Sequence, residues 1–309
     1  MRRRVCHDPR VDYDDIASAY LDVPAPDVPV GQLTDTPARR LRDAVEPLAT
    51  QGWWARAVHE HPALAEVGFL EAYVWGRAAS LGNPEASVVV AAFAFFEPGH
   101  LAGVYEDARR RVGRAEVLAA REEGATRALA DVLSGAEVSA LADRLFEAMD
   151  GLDAAGRPLF AGLRQLPVPA DPFGRLWRAT EMVREHRGDG HVAASVAAGM
   201  DPVSMNVLTE LWVGYPVGEY TATRGYGEEA LAASLDALGR RGWVAHGRLT
   251  EAGRAARTDI EAATDRSQET LIGRLGDRAD AVIADLAALS ARVIAGRGVP
   301  ADPRKRDAG

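Results

Sequence analysis

Apolar residues recur at three- and four-residue steps along most of this chain, and the pattern predicts helices punctuated by glycine and proline. Thr36 reads as an N-cap with Pro37 at the first helical position, and Leu41, Val45 and Leu48 mark the apolar stripe of the helix that follows. Further helical stretches fall at 62–81, 84–96, 98–110, 113–133, 135–149 and 154–163. A proline-rich connector at 167–172 then leads into a long helix starting at Pro172 or Phe173. Near the end, Leu271, Leu275, Val282, Leu286 and Leu289 predict one helix over 269–297, with a stripe able to pack internally or against a second copy. Residues 1–35 mix Asp, Pro and Val without a helical period and read as a disordered tail, as do 301–309.

The clearest local pattern lies between Tyr226 and Arg257. Leu231, Leu235 and Leu238 define a helix, Gly239-Arg240-Arg241-Gly242 a tight turn, and Trp243-Val244 a short strand. His246-Gly247 is a tip, Arg248-Leu249 a returning strand, and Thr250 an N-cap for a helix over 251–265. This is the order of a winged helix. The run resembles the MarR-type regulators, which carry a similar helix, L-x-x-x-G-W/L-V strand, wing and L-T-E-x-G-R sequence.

Over about 36–292 the chain is also similar to an actinobacterial, SalK-like family of MarR-resembling proteins. The segments that carry this are Trp177 to Thr180, Arg184 to His191, and Ala222 to Tyr226. The resemblance implies a fold and leaves the activity open.

A weaker internal echo suggests duplication. Trp75 precedes Gly82, an Ala/Val-rich stretch and Glu97-Pro98; Trp177 precedes Gly188, a similar stretch and Asp201-Pro202. The expected fold is therefore mainly α, with tandem winged-helix-like (MarR-type) units and short β-wings. One unit would span 36–150 and the other 151–300.

Composition narrows the setting. One cysteine, Cys6, among 309 residues excludes an internal disulfide and thiolate metal clusters, and points to a reducing cytoplasm. The longest apolar run, 86–96, is too short to span a bilayer, and Met1-Arg2-Arg3-Arg4 leads into aspartates, not an apolar signal segment. No membrane partner is expected.

Net charge opposes DNA binding. With 36 basic and 45 acidic residues the chain carries −9, and over 201–266 seven arginines face ten acids, a balance of −3. The candidate recognition helix, 227–238, offers Glu228, Glu229, Ala232, Ala233, Ser234 and Asp236, of which Ser234 alone suits a base edge. Arg240 and Arg248, the latter on a short wing, complete the DNA-contact set of the rival reading, a dimeric MarR-like regulator.

The densest functional groups run from Arg184 to His191. If Gly188 breaks the helix, His186, Asp189 and His191 converge, although on an unbroken helix the two histidines point about 140° apart. One reading makes Asp189 the orienter of a histidine acid or base, with Arg184 and Arg187 holding an anion and Trp177 forming a wall. A second makes His186, Asp189 and His191 a metal site, which lacks a third histidine or clustered acids. A third is structural: Asp189 caps a helix beginning at Gly190, and Arg184 pairs with Glu181 or Glu185.

Other motifs weigh less. Gly188-x-Gly190-x-x-Ala193 follows a helix where a dinucleotide fingerprint needs a strand, and His59-Glu60-His61 reads as a solvated turn. Trp53, Trp54, Phe69, Tyr73, Trp75, Phe93, Phe95 and Phe96 supply core, with some able to line a pocket for a flat molecule. The sequence thus favours a small-molecule-binding protein on a degenerate winged-helix scaffold, able to act on an anionic or aromatic metabolite. It names no cofactor.

Overall fold

The computed structural model describes residues 11–27 and 34–307. Cys6 lies outside them. The first described helix, α1 (Tyr13–Ile16), continues as a π turn over Ala17–Leu21. The sequence offered no period here. The segment is held by a tertiary contact, Tyr13 Oη donating to Trp54 O at 2.8 Å, so the expected tail is partly helical.

Helix α2 (Pro37–Ala49) starts as its sequence dictates, Thr36 Oγ1 accepting from Arg39 N at 3.0 Å. Short helices α3 (Gln51–Trp54) and α4 (Arg56–His59) lead to α5 (Phe69–Ala78), α6 (Ala86–Phe93) and α7 (Pro98–Arg111). Helices α8 (Arg114–Val132), α9 (Ser139–Met149) and α10 (Pro158–Leu163) complete the first half.

Helix α11 (Pro172–Ala197) is the axle, 26 residues or about 39 Å long. It packs on α2, α8, α9 and α10. The break expected at Gly188 is absent: both Gly188 and Gly190 keep helical geometry, and of the two Gly190 serves close approach. A Cβ on Gly190 would stand 2.3 Å from Ser267 Oγ, inside the packing of the next domain wall. His186, Asp189 and His191 are therefore held at their helical spacing and do not converge through a bend.

After Gly199 come α12 (Pro202–Val213), α13 (Glu219–Ala222) and α14 (Glu228–Arg240), then β1 (Val244–Ala245) paired antiparallel with β2 (Arg248–Leu249). His246 and Gly247 both adopt positive φ, as a two-residue hairpin turn requires. Thr250 caps α15 (Glu251–Arg266), accepting from Gly253 N at 3.0 Å. The helix, hairpin and following helix between 227 and 266 are what the sequence predicted; α12 and α13, ahead of them, were not read from it.

The single terminal helix of the sequence reading is broken. Helix α16 (Glu269–Leu275) stops at Gly276, where φ is +58°, and α17 (Ala279–Ala295) resumes after one turn. Leu271, Leu275, Val282 and Leu286 are buried in this chain's own core. The expected second tail also carries structure, α18 (Pro303–Asp307).

Three apolar clusters organise these elements. The largest joins Leu41, Val45, Leu145, Phe160, Trp177, Leu271 and Leu286, and so runs through both halves of the sequence. A second gathers Val74, Trp75, Phe93, Phe96 and Tyr105. The third, Met205, Leu208, Leu238, Val244 and Ile260, is the core of the α12–α15 unit. The stretches that echo one another differ in fold: Gly82, at φ +96°, interrupts the first, while the second is continuous. Among the described residues β1–β2 is the sheet, and no helix is long and apolar enough to cross a membrane.

Candidate functional site

Between the second cluster, α11 and the α12–α15 unit lie two adjoining cavities that share Glu46, Tyr73, Arg184, Tyr220 and Arg224 in their walls. The outer one is mainly aromatic, with Trp53, Trp54, Phe69 and Tyr20. The inner one is charged. Its wall holds seven guanidiniums, of Arg39, Arg42, Arg77, Arg184, Arg187, Arg224 and Arg257, against five carboxyl groups, of Glu46, Glu185, Asp189, Glu261 and Asp307, an excess of two positive charges.

Most of those arginines are spent on internal pairs. Arg77 grips Glu185 through Nε and Nη2 at 3.0 and 2.8 Å. Arg184 reaches Glu46 and Glu185, both at 3.0 Å. Arg187 and Arg257 meet on Glu261, and Arg187 also reaches Asp265 at 3.1 Å. Such buried pairs fix geometry, since each ion was desolvated to form them.

Arg224 differs. It stands in the turn between α13 and α14, with its guanidinium 4.5 Å from the ring centres of both Phe96 and Tyr220. Nη2 donates to Tyr220 Oη, the buried Nε has no hydrogen-bond partner, and among the described residues no carboxylate lies within ion-pair distance. Tyr73 stands beside it, accepting from Arg77 Nη1 at 2.7 Å. Burial alone would raise the Tyr73 phenol, but the charges of Arg77, Arg224 and Arg184 bring it below its ordinary value. A partly buried cation without an anion, next to an acidified phenol and over two aromatic faces, is chemistry suited to an anionic ligand.

The residues singled out from sequence divide. Arg184, Arg187, Asp189 and His191 line the inner cavity, whereas Trp177 and His186 do not. Trp177 is buried, its Nε1 donating to Ala49 O at 3.1 Å. His186 Nδ1 is 2.8 Å from Gln268 Oε1 and its ring packs edge-on against Phe160. Burial, with some help from Arg157, depresses it to about 4. His191 Nδ1 is 3.0 Å from Thr264 Oγ1, and burial followed by the charge of Arg257 lowers it to about 3. Both imidazoles are neutral at pH 7.

Asp189 caps a helix, though not the expected one: its Oδ2 accepts from Phe160 N, at the start of α10, at 3.0 Å. Burial raises its carboxyl to about 7. Arg184 takes Glu185 of its two expected partners, because Glu181 is held by Arg121 at 2.6 Å. His59 is not a solvated turn residue; it stacks on Phe69 and sits 2.8 Å from Trp53 O. Among the described residues no three metal-ligating side chains converge.

On the α12–α15 unit, Ser234 is buried, 3% exposed, with its Oγ donating to Ser204 Oγ. The hydroxyl expected to face a base is thus turned toward α12. The outward residues of α14 are Glu228, Glu229, Ala232, Ala233 and Asp236, with Arg240 exposed at its end and Arg248 exposed on the hairpin.

Sequence reasoning missed Arg224, Arg77, Arg39 and Arg42 as wall residues, since arginines in a turn, as Arg224 is, or on amphipathic helices look solvated until their partners are placed. It did name Tyr73, Phe93, Phe95 and Phe96, and all four line the inner cavity. In comparison with known proteins, the profile of a helix-turn-helix family matches residues 38–300. No curated protein and no solved structure matches the chain.

Proposed function

Since the chain belongs to a helix-turn-helix family, we propose that it uses this scaffold to bind a small anionic organic molecule in the cavity between α5–α7, α11 and the α12–α15 unit. The observation that carries this reading is Arg224, a partly buried guanidinium that faces the cavity without a carboxylate partner and with its buried Nε unbonded. A ligand oxygen there would gain a charge-assisted hydrogen bond, worth roughly 1.5–3 kcal/mol. Tyr73 and Phe96 offer flat surfaces beside it, so an aromatic body on the ligand fits the walls. If a reaction follows binding, Asp189 and His191 are the wall groups able to move a proton, and His186 acts behind them through the backbone of α11. The MarR-like, SalK-like resemblance and a cytoplasmic setting belong to the same reading, supported by the β1–β2 hairpin and the single cysteine.

The test is native mass spectrometry of freshly purified protein together with titration by naphthoate, an aromatic carboxylate. We expect a retained small molecule or saturable naphthoate binding, and loss of at least about tenfold in affinity in Arg224→Gln. Equal affinity in that variant would remove Arg224 from the reading.

Family membership favours a second reading, a DNA-binding regulator contacting the duplex through Arg240 and Arg248, as a dimer or otherwise. The acidic face of α14 weighs against it. Mobility shift with the gene's own upstream region separates the two.

A further inference from the structure

The segment that follows α17 crosses the mouth of both cavities. Val299 and Pro300 line the outer one, as do Lys305 and Arg306, while Asp307 lines the inner one. Its grip is mostly polar. Arg304 Nη1 donates to Gly214 O at 2.8 Å, and the Lys305 ammonium lies over the rings of Tyr20 and Tyr220 at 4.8 and 5.1 Å. No residue from 301 to 307 is fully buried, which is the contact profile of a segment that opens locally.

At its end, Asp307 Oδ1 accepts from Arg39 Nη2 at 2.8 Å and from Arg42 Nη1 at 3.0 Å. Neither arginine has another carboxylate to itself, since both share Asp43 and Glu261 is also held by Arg187 and Arg257. Arg39 also holds Asp43 at 3.0 Å and Glu261 at 3.2 Å, and Arg42 holds Asp43 at 3.1 Å. Burial keeps the Asp307 carboxyl above its ordinary range although two guanidiniums pull it down, so its ionised form is imperfectly compensated. The pair of arginines is therefore built to receive a carboxylate, and the one it holds belongs to a partly exposed segment near the end of the chain.

We propose that Arg39 and Arg42 form a carboxylate-binding subsite of the cavity, that its ligand is an organic acid with an aromatic body, and that Asp307 is the occupant such an acid displaces. This rests on the cavity reading above and adds to it which end of the ligand goes where: the acid group meets Arg39 and Arg42, while the ring lies toward Tyr73 and Phe96, where Arg224 holds its face or a second oxygen on it. The segment from 301 to 307, anchored by the buried Val299, is then a strap, closed when Asp307 is seated and released when the ligand takes its place.

The test is calorimetric titration of the full chain with naphthoate in the parent protein, Asp307→Asn, Arg42→Gln and Arg224→Gln, with hydrogen exchange of residues 303–307 in parallel. Circular dichroism confirms that each variant is folded. Asp307→Asn should bind about tenfold more tightly, since the competing charge is gone, and Arg42→Gln at least about tenfold more weakly. Saturating naphthoate should speed exchange at 303–307 in the parent. Unchanged affinity in Asp307→Asn, or slower exchange at 303–307, overturns the strap. If only Arg224→Gln weakens binding, the cavity reading stands and the subsite falls; if no form binds naphthoate, both fall.

Discussion

Arg77 and Glu185, 108 residues apart, meet face to face inside the protein, with Nε and Nη2 of the guanidinium donating to the two carboxylate oxygens at 3.0 and 2.8 Å. The pair joins α5 to α11, and Arg184 shares the same carboxylate, so one glutamate balances two buried cations. Their charges hold Glu185 ionised despite its burial, below its ordinary range.

Removing that glutamate should therefore be worse than removing the whole group. Glu185→Ala leaves Arg77 and Arg184 short of an anion and should destabilise by about 3–5 kcal/mol in urea unfolding. The combined Arg77→Met and Glu185→Leu variant should recover most of that loss, because it strands fewer charges. A loss under about 1 kcal/mol in Glu185→Ala would mean that water reaches the pair.

Two of the three glycines of α11 make opposite predictions. At Gly188 an added Cβ meets nothing closer than Glu185 Oε2 at 3.5 Å, and the helix is continuous, so Gly188→Ala should stabilise by about 0.5–1 kcal/mol. At Gly190 the Cβ would press on Ser267 Oγ at 2.3 Å and on Arg157 Nη1 at 3.0 Å, so Gly190→Ala should destabilise by about 1–3 kcal/mol. Thermal melts of the two variants decide this. A loss in Gly188→Ala would restore the bend that the sequence suggested.

Buried titrating groups set the pH profile. His59, His186 and His191 are depressed from 6.5 to about 4, about 4 and about 3, chiefly by burial. The unfolded chain binds their protons first, so their contribution is complete above 6.5 and is lost as pH falls toward those values. Asp189 runs the other way: raised by burial from 3.8 to about 7, it favours the folded state in acid and loses that contribution as pH rises through about 7. Three histidines outweigh one aspartate, so the parent should lose stability below 6.5. Asp189→Asn should gain on the parent as pH is raised from about 5 to about 8, by up to about 2.7 kcal/mol, in chemical denaturation at each pH. A constant difference between the two would show that Asp189 titrates normally.

What could be read in advance follows the range of the forces involved. The hairpin and its flanks were legible because the determinants are local: Thr250 caps within three residues, and His246-Gly247 turns within two. Helix α2 was legible for the same reason at Thr36. Gly190 was misread because a glycine signals either a bend or a close neighbour, and the neighbour, Ser267, is far along the chain. Helix α1 has no period of its own and is fixed by Trp54. The arginine wall was hidden similarly: Arg39 looks like a solvated helix residue until Glu261, 222 positions away, is brought to 3.2 Å. The pocket aromatics were visible as a set, but which of them face the cavity depends on where the α12–α15 unit docks. That docking is made by backbone contacts such as Glu97 N to Arg224 O at 2.8 Å, which side-chain patterns do not encode.

The outward face of α14 gives the last prediction. Glu228, Glu229 and Asp236 are exposed there, and Ser234 is turned inward, so a duplex approaching this helix meets three negative charges and no base-reading group. If this face is what prevents binding, changing all three acids to lysine should create salt-sensitive, sequence-independent affinity. Should each lysine neutralise one phosphate, the slope of log affinity against log salt should become steeper by about 2.7, at about 0.9 per contact. Fluorescence anisotropy with a random duplex over a salt series measures it. A parent protein that already binds with a steep slope would show that cations elsewhere, Arg240 and Arg248 among them, form a working DNA surface despite the acids, and would move the weight to the regulator reading.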